Sequence, residues 1–240
     1  MNRKVKYGII LCSGGVDSVV TAYYIKEKMQ YDKIIILFFN YGQKSLKNER
    51  NCARNCARKL FGKFIELKLD ELEKISTSLI NKSGKVNKVK RSDLIDTRKE
   101  SEKWYVPFRN AIFLMYALAL AESIYIKERK TCNIFVGFKY EGQGGFPDAT
   151  LNFLNKMNEL GKIGKKRFKI IAPLINKDKS EVILLGKKLG IDLFDTHSCY
   201  ISNKHCGYCL ACRLRQEGFY WANIKDMTKY RKKMSDFRTN

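Results

Sequence analysis

No stretch of this 240-residue chain approaches the roughly 20 apolar residues that a membrane-spanning helix needs. The longest apolar run, Ala111 to Ala121, is shorter and reads as a helix buried on most sides. The apolar run near the start, Val5 to Cys12, is too short for a signal peptide, and Leu11 before Cys12 is not the small residue of a lipoprotein cleavage site. These absences set the expectation of a cytoplasmic protein without membrane contact. Acidic residues are scarce, 24 Asp+Glu against 47 Lys+Arg, for a formal net charge of +23. That excess suits a nucleic-acid partner. Yet the lysines are spread along the whole chain, with one modest cluster at Lys229, Arg231, Lys232 and Lys233, and no basic-aromatic stacking module is evident. The favoured reading is solvated lysine faces around an anion-binding pocket; direct nucleic-acid binding is not expected but stays open. Internal repeats and long low-complexity tracts are absent. So is any Gly-x4-Gly-Lys-[Ser/Thr], which removes the Walker A way of holding ATP.

What is present is strand–helix alternation from end to end, with 45% hydrophobic residues to build a core. Strands are expected at Val5–Cys12, Lys33–Asn40, Lys63–Asp70, Cys132–Phe138 and Phe168–Pro173. Helices are expected at Val19–Met29, Ser45–Leu60, Asn110–Lys127, Ala149–Gly161 and Ser180–Leu189. Repeated β-α units imply an α/β fold, a doubly wound parallel five-stranded sheet. Residues 1–195 should form the main domain, with 71–103 as a charged, partly mobile insertion, and 196–240 a C-terminal segment packed on it. Ligands of such sheets bind beyond the carboxyl ends of the strands, so the loops after Cys12, Asn40 and Phe138 should converge on one crevice.

The most informative of those loops is Ser13-Gly14-Gly15-Val16-Asp17-Ser18. It sits between a strand and a helix. Gly14 and Gly15 let an anion approach the main chain, and the helix N-terminus offers unpaired N–H groups. Ser13 and Ser18 add hydroxyl donors, and Asp17 can hold a metal riding on phosphates. The loop should therefore hold a pyrophosphate, that of ATP first. A second cluster lies near the C-terminus, where Cys199, Cys206, Cys209 and Cys212 have the spacing Cys-x6-Cys-x2-Cys-x2-Cys. Four thiolates so arranged suit a closed tetrahedral Zn²⁺ site at about 2.3 Å, a staple without an open position for chemistry. An iron–sulfur cluster is the rival. The only two histidines, His197 and His205, flank these ligands and read as bystanders or pocket residues. Cys12, Cys52, Cys56 and Cys132 read as small core residues.

Ser-Gly-Gly-x-Asp-Ser resembles the signature of the PP-loop ATP pyrophosphatases. With the cysteine set, the chain resembles the 7-cyano-7-deazaguanine synthase family of queuosine-precursor synthesis. Further blocks agree: Tyr41-Gly42-Gln43; Val106-Pro107-Phe108-Arg109-Asn110; Phe146-Pro147-Asp148; Ala172-Pro173-Leu174 with Lys179-Ser180-Glu181; Ser198-Cys199-Tyr200; and His205 through Arg213. The resemblance implies that 1–195 is a PP-loop domain. It implies ATP, Mg²⁺ and Zn²⁺ as cofactors, with a deazapurine carboxylate and ammonia as small-molecule substrates and a homodimer left open. It implies a carboxylate adenylated by ATP, displaced by ammonia to an amide, then adenylated again and eliminated to a nitrile, with AMP and pyrophosphate released. Asp17, Lys179, Gln43 and Arg109 would be catalytic. Tyr41 would join residues 13–18 around ATP. Asn110, Glu141, Phe146 and Asp148 would form the deazapurine pocket. The chain departs from the family pattern at Asn40, where Asp is usual, at Gly142, where an acid is usual and Glu141 stands one place earlier, and at Ala149-Thr150, where Cys-Arg is usual. These changes lie on the substrate side. They keep open a relative that uses the same adenylation on a protein or nucleic acid, or a PP-loop tRNA-modifying enzyme. A basic, zinc-stapled nucleic-acid-binding protein without catalysis is the non-enzymatic alternative, and the intact glycine loop argues against it.

Overall fold

A computed structural model describes residues 5–140, 145–166 and 168–232. Five parallel strands run β1 (Tyr7–Leu11), β2 (Lys33–Asn40), β3 (Lys63–Lys68), β4 (Cys132–Val136) and β5 (Ile170–Ile171). Their order in the sheet is β3-β2-β1-β4-β5. The chain thus winds outward from β1 to one edge, then returns to the other side, placing the switch point between β1 and β4. Side-chain alternation explains the two faces. Ile9, Leu37 and Phe39 point to one face, and Ile10, Ile36 and Phe38 to the other, and all are buried. The first face packs on α5 (Arg109–Glu128) and α6 (Leu151–Leu160). The second packs on α1 (Val16–Glu27), α2 (Leu46–Lys59), α7 (Lys179–Lys188) and α8 (Leu210–Trp221). Two short helices, α3 (Asp70–Ile75) and α4 (Arg98–Glu102), lie in the segment after β3.

Four expectations change. The helix at Arg109–Glu128 is not buried on most sides. Leu114, Ala117, Leu118 and Ala121 enter the core, whereas Met115, Tyr116 and Ile126 are exposed. By length and composition this helix is apolar enough to cross a membrane, which the shorter run Ala111–Ala121 had concealed, but here it packs on the sheet. The fifth strand shrinks to Ile170–Ile171, the two residues in register with Ile134 and Phe135 of β4, and a side chain closes its outer edge. Asn158 accepts from the Ile170 N–H at 2.9 Å and donates to the Ile170 carbonyl at 2.9 Å, so no further ladder is needed. The sixth helix of the chain begins at Leu151 because Thr150 caps it, accepting from the Phe153 N–H at 3.1 Å.

Residues 71–103 differ most. Rather than a loose insertion, they are tied to the site. Ile80 and Val89 are buried in the core with Trp104. Lys44 Nζ donates to the Leu79 and Lys82 carbonyls, and Asn81 Nδ2 donates to the Tyr41 carbonyl at 2.7 Å. The Val89 N–H donates to the Tyr208 carbonyl at 3.0 Å, joining this segment to the cysteine region.

Candidate active site

A cavity of about 260 Å³ opens at the carboxyl ends of β1, β2 and β4. Its floor is the glycine loop. Gly14 has φ +79°, and a Cβ there would meet the Glu49 carbonyl oxygen at 2.5 Å and Cys52 Cβ at 2.7 Å, so only glycine lets the loop rest on α2. The Gly14 carbonyl accepts a 2.9 Å bond from the His197 N–H. Ser18 Oγ donates to the Gly15 carbonyl at 3.0 Å, with Ser13 Oγ 3.4 Å from Ser18 Oγ. Among the described residues no side chain caps α1, so its first N–H groups are open to a ligand at the positive end of the helix. Gly137, just past β4, comes so close to Asp17 and Ser18 that a Cβ there would lie 2.8 Å from the Ser18 nitrogen.

Lys179 is the first residue of α7, whose N-terminus is fixed by a reciprocal capping box between Asp178 and Glu181. Its ammonium does not pair with nearby Glu181. It reaches across to Asp17 and donates to both carboxylate oxygens at 2.7 Å. Gly218 makes this reach fit: a Cβ on it would stand 2.4 Å from Lys179 Cγ. An isolated glycine in a helix costs about 1 kcal/mol relative to alanine, and here the cost opens the path of the Lys179 side chain to Asp17. Gly218→Ala should therefore lower turnover far more than it lowers the melting temperature, as parallel activity and melting measurements would show.

Opposite stand Tyr41, Gln43 and Arg109. Arg109, at the N-terminus of α5, donates from Nη1 to Tyr41 Oη at 3.2 Å and lies over the Tyr41 and Phe113 rings. Burial pushes the Tyr41 phenol upward, and the Arg109 charge opposes it. Phe39 and Phe113 stack with centroids 4.0 Å apart and planes at 4°. Phe146 completes an aromatic wall with Tyr105, 6.2 Å away. Gln43 lines the cavity, but its amide is spent on the loop. Its Oε1 accepts from the Tyr41 N–H at 2.9 Å, and its Nε2 donates to the Phe39 carbonyl and to Glu49. The expected catalytic amide is thus a brace. Asp148 is likewise turned inward. It accepts from the Asn110 N–H at 3.1 Å, and Asn110 Nδ2 donates to the Asp148 carbonyl at 2.9 Å, so the pair secures the start of α5. Burial pushes its carboxyl upward, and the Asn110 and Arg109 contacts oppose this. Of the expected deazapurine set, Asn110 and Phe146 line the cavity, Asp148 supports it from behind, and Glu141 lies outside the described residues, as does Gly142.

The departures from the family pattern look milder in place. Asn40 Oδ1 accepts from the Gly42 N–H, a turn-closing bond that Asp would make equally well. Thr150 is a helix cap. Only Ala149 of these lines the cavity among the described residues.

Among the lining residues to which the sequence reading gave no site role are Glu49, Ser198 and Tyr200. The last two come from the cysteine segment, which therefore walls the cavity as well as bracing it. The four cysteines are buried, with sulfurs all within 4.8 Å of one another. Cys206 Sγ and Cys212 Sγ are 3.8 Å apart, the edge of a tetrahedron with metal–sulfur bonds of about 2.3 Å. The Tyr208 and Cys209 N–H groups donate to Cys206 Sγ at 3.4 and 3.2 Å, as thiolate ligands require. Hydrogen bonds from the other three thiols hold Cys199 far below its ordinary pKa, while the same contacts and burial push Cys209 and Cys212 up. Four sulfurs this close need a cation to be thiolates together, so the donor set fits Zn²⁺. Both histidines stand aside. His197 Nε2 faces the Ser202 carbonyl at 3.0 Å, and His205 Nε2 accepts from the Ser198 N–H at 3.1 Å. Burial and the Arg215 charge push His205 down to about 3, so it remains neutral.

Relatives match this chain along nearly its whole length. A 7-cyano-7-deazaguanine synthase of Methanosphaera stadtmanae is 36% identical over 230 residues, covering 93% of this chain and 98% of that one. The enzyme of the same name from Nitratiruptor is 37% identical over 236 residues, with 93% and 98% covered. That of Sulfurimonas denitrificans is 35% identical over 238 residues, covering 96% and 100%. The family model described as queuosine biosynthesis protein QueC matches residues 7–223, from the first strand through the cysteine cluster, and this chain belongs to that family.

Proposed function

We propose that this chain converts 7-carboxy-7-deazaguanine and ammonia to 7-cyano-7-deazaguanine, using ATP and releasing AMP and pyrophosphate. The observation that carries this reading is one cavity holding an uncapped glycine-loop helix, the Lys179–Asp17 pair and an aromatic wall. A carboxylate resists attack because its oxygen leaves poorly. Transfer of AMP to that oxygen supplies a good leaving group, and the enzyme's part is to neutralise phosphate charge and align two reactants. The N–H groups of α1 and the hydroxyls of Ser13 and Ser18 suit the phosphates. Lys179 suits the α-phosphate or the activated oxygen. Arg109 suits the incoming carboxylate, and the Phe39–Phe113 stack and Phe146 suit flat heterocycles. Asp17 would hold Mg²⁺, which screens phosphate charge when bound. Cys199, Cys206, Cys209 and Cys212 would hold Zn²⁺, which fixes the segment carrying His197, Ser198 and Tyr200.

The test is a mass-spectrometric time course with 7-carboxy-7-deazaguanine, ammonium, ATP and Mg²⁺. The amide should rise first and then be consumed as the nitrile forms, with AMP as the nucleotide product. ADP and phosphate would reject the PP-loop chemistry. Product stopping at the amide, or adenylate captured by a protein or nucleic acid, would favour the diverged relative and point to Ala149.

Metal analysis makes a separate check. Purified protein should be colourless and contain about one zinc per chain. Brown protein with visible iron–sulfur absorption would overturn the assignment. Cys209→Ser should lower the melting temperature more than the turnover of the protein that remains folded.

A further inference from the structure

Two carboxylates line the cavity among the described residues, Asp17 and Glu49. Asp17 has a lysine ammonium on both oxygens. Among the described residues Glu49 has no such partner. It lies in the first turn of α2, beside the glycine loop, and its carboxylate is held by two neutral donors, Ser45 Oγ on one oxygen and Gln43 Nε2, at 3.0 Å, on the other. A carboxylate accepts about four hydrogen bonds, so these two fix its position and leave accepting capacity. Gln43 is itself locked to the Phe39 carbonyl and the Tyr41 N–H, which makes the mounting rigid.

The reaction proposed above has a requirement that none of the residues assigned so far meets. At neutral pH ammonia is almost entirely ammonium, which has no lone pair to attack with. Something in the cavity must take a proton from it. Lys179 and Arg109 are cations, Gln43 is an amide braced at both ends, and Asp17 has both oxygens engaged by Lys179 and is the residue proposed to hold the metal. We propose that Glu49 is the general base that deprotonates ammonium for attack on the adenylated carboxylate. This assignment rests on the adenylating reading of the function.

The proton and bond balance is simple. Ammonium gives one proton to the Glu49 carboxylate and becomes ammonia. Its nitrogen forms the C–N bond at the adenylated carbon. The C–O bond to AMP breaks, the second nitrogen proton leaves with the departing phosphate, and Glu49 returns its proton to solvent. Burial raises the proton affinity of Glu49, opposed by the Ser45 and Gln43 bonds and the Arg109 charge. The titratable and charged groups facing it are Arg109, Tyr41 on β2's end, Cys52 on its own helix and Cys199.

Glu49→Gln is the variant of choice. A glutamine can keep both mounting bonds, its oxygen accepting from Gln43 and its NH₂ donating to Ser45, but it cannot take a proton. Three readouts separate the roles. Exchange of labelled pyrophosphate into ATP, dependent on 7-carboxy-7-deazaguanine, reports adenylation alone. AMP release with ammonium reports the complete amide-forming step. AMP release with hydroxylamine, which is already neutral near pH 7 and gives the hydroxamate, reports attack that needs no base beforehand. Glu49→Gln should lower the ammonium rate about 100-fold or more, the usual scale for a positioned base. Exchange and the hydroxylamine rate should stay within about threefold of the wild type. Equal losses with both nucleophiles, lost exchange in the variant, or an unchanged ammonium rate would each overturn the assignment. Wild-type protein without exchange would instead overturn the adenylating reading, and this role with it.

Discussion

Lys179→Met should lower nitrile formation by about a thousandfold while the protein remains folded. Methionine keeps the length and much of the volume of the lysine stem, so the packing against Gly218 is preserved. What disappears is the one positive charge that α7 carries to Asp17. Removing a single donor aimed at developing charge in a closed site costs about 10²–10³ in turnover. The ammonium bears a full charge, so the upper end is expected. Pyrophosphate exchange and amide-to-nitrile conversion should fall together, because both adenylations of the proposed reaction would develop charge at the same place. A variant that still exchanges at the wild-type rate would remove Lys179 from the chemistry.

The ion pair makes a sharper version possible. If Lys179 served only to hold Asp17, Asp17→Asn would already remove its purpose, and the double variant would be no slower than the worse single one. If each side chain meets the nucleotide or its metal separately, the losses should add to a larger total. A double variant slower than either single one, but short of the full sum, is expected, because side chains in direct contact couple while each also faces the ligand.

Much of this site was legible before the fold was known. The glycine loop, the Tyr-Gly-Gln turn and Lys179 all follow strands whose apolar runs mark them. A doubly wound sheet can only bring such loops to one end. The four cysteines carried their own spacing. What the sequence hid were contacts decided by side-chain direction. Glu49 sits in a polar, basic helix, among Lys47, Asn48 and Arg50, where a carboxylate looks like part of a solvated face. Only the turn at Gln43 and Ser45 reveals that it is drawn inward. Gln43 and Asp148 had polar groups suited to a ligand, and each found a backbone partner first. Gly218 looked like an ordinary weakness in a helix, since the lysine it accommodates is 39 positions away in the chain. Boundary errors have the same origin. The fifth strand pairs with β4 only through Ile170 and Ile171 while Asn158 takes its outer edge, and no local pattern around Ile170 could announce that.

Gly14→Ala should be the most damaging single-methyl change in the nucleotide loop, with turnover down about a thousandfold and ATP protection lost. Two costs combine. The first is conformational: alanine at φ +79° pays roughly 1–2 kcal/mol relative to a relaxed backbone. The second is steric: the new Cβ would lie 2.5 Å from the Glu49 carbonyl oxygen and 2.7 Å from Cys52 Cβ. Backbone cannot swing aside as a side-chain tip can, so the loop must lift from α2. That lift displaces the N–H groups at the start of α1 and strains the bond from His197 to the Gly14 carbonyl. Gly190 supplies the control. It has φ +70° and nothing within 4 Å of an added Cβ, so Gly190→Ala carries the conformational cost without the clash. Both variants should melt earlier than the wild type, Gly190→Ala by the smaller amount. Saturating ATP at about 100 times its dissociation constant stabilises a folded protein by about 2.7 kcal/mol. Gly190→Ala should retain that upward shift in melting temperature, and Gly14→Ala should show none. Equal ATP shifts in the two variants would mean that the loop tolerates the methyl group and that phosphate is held elsewhere.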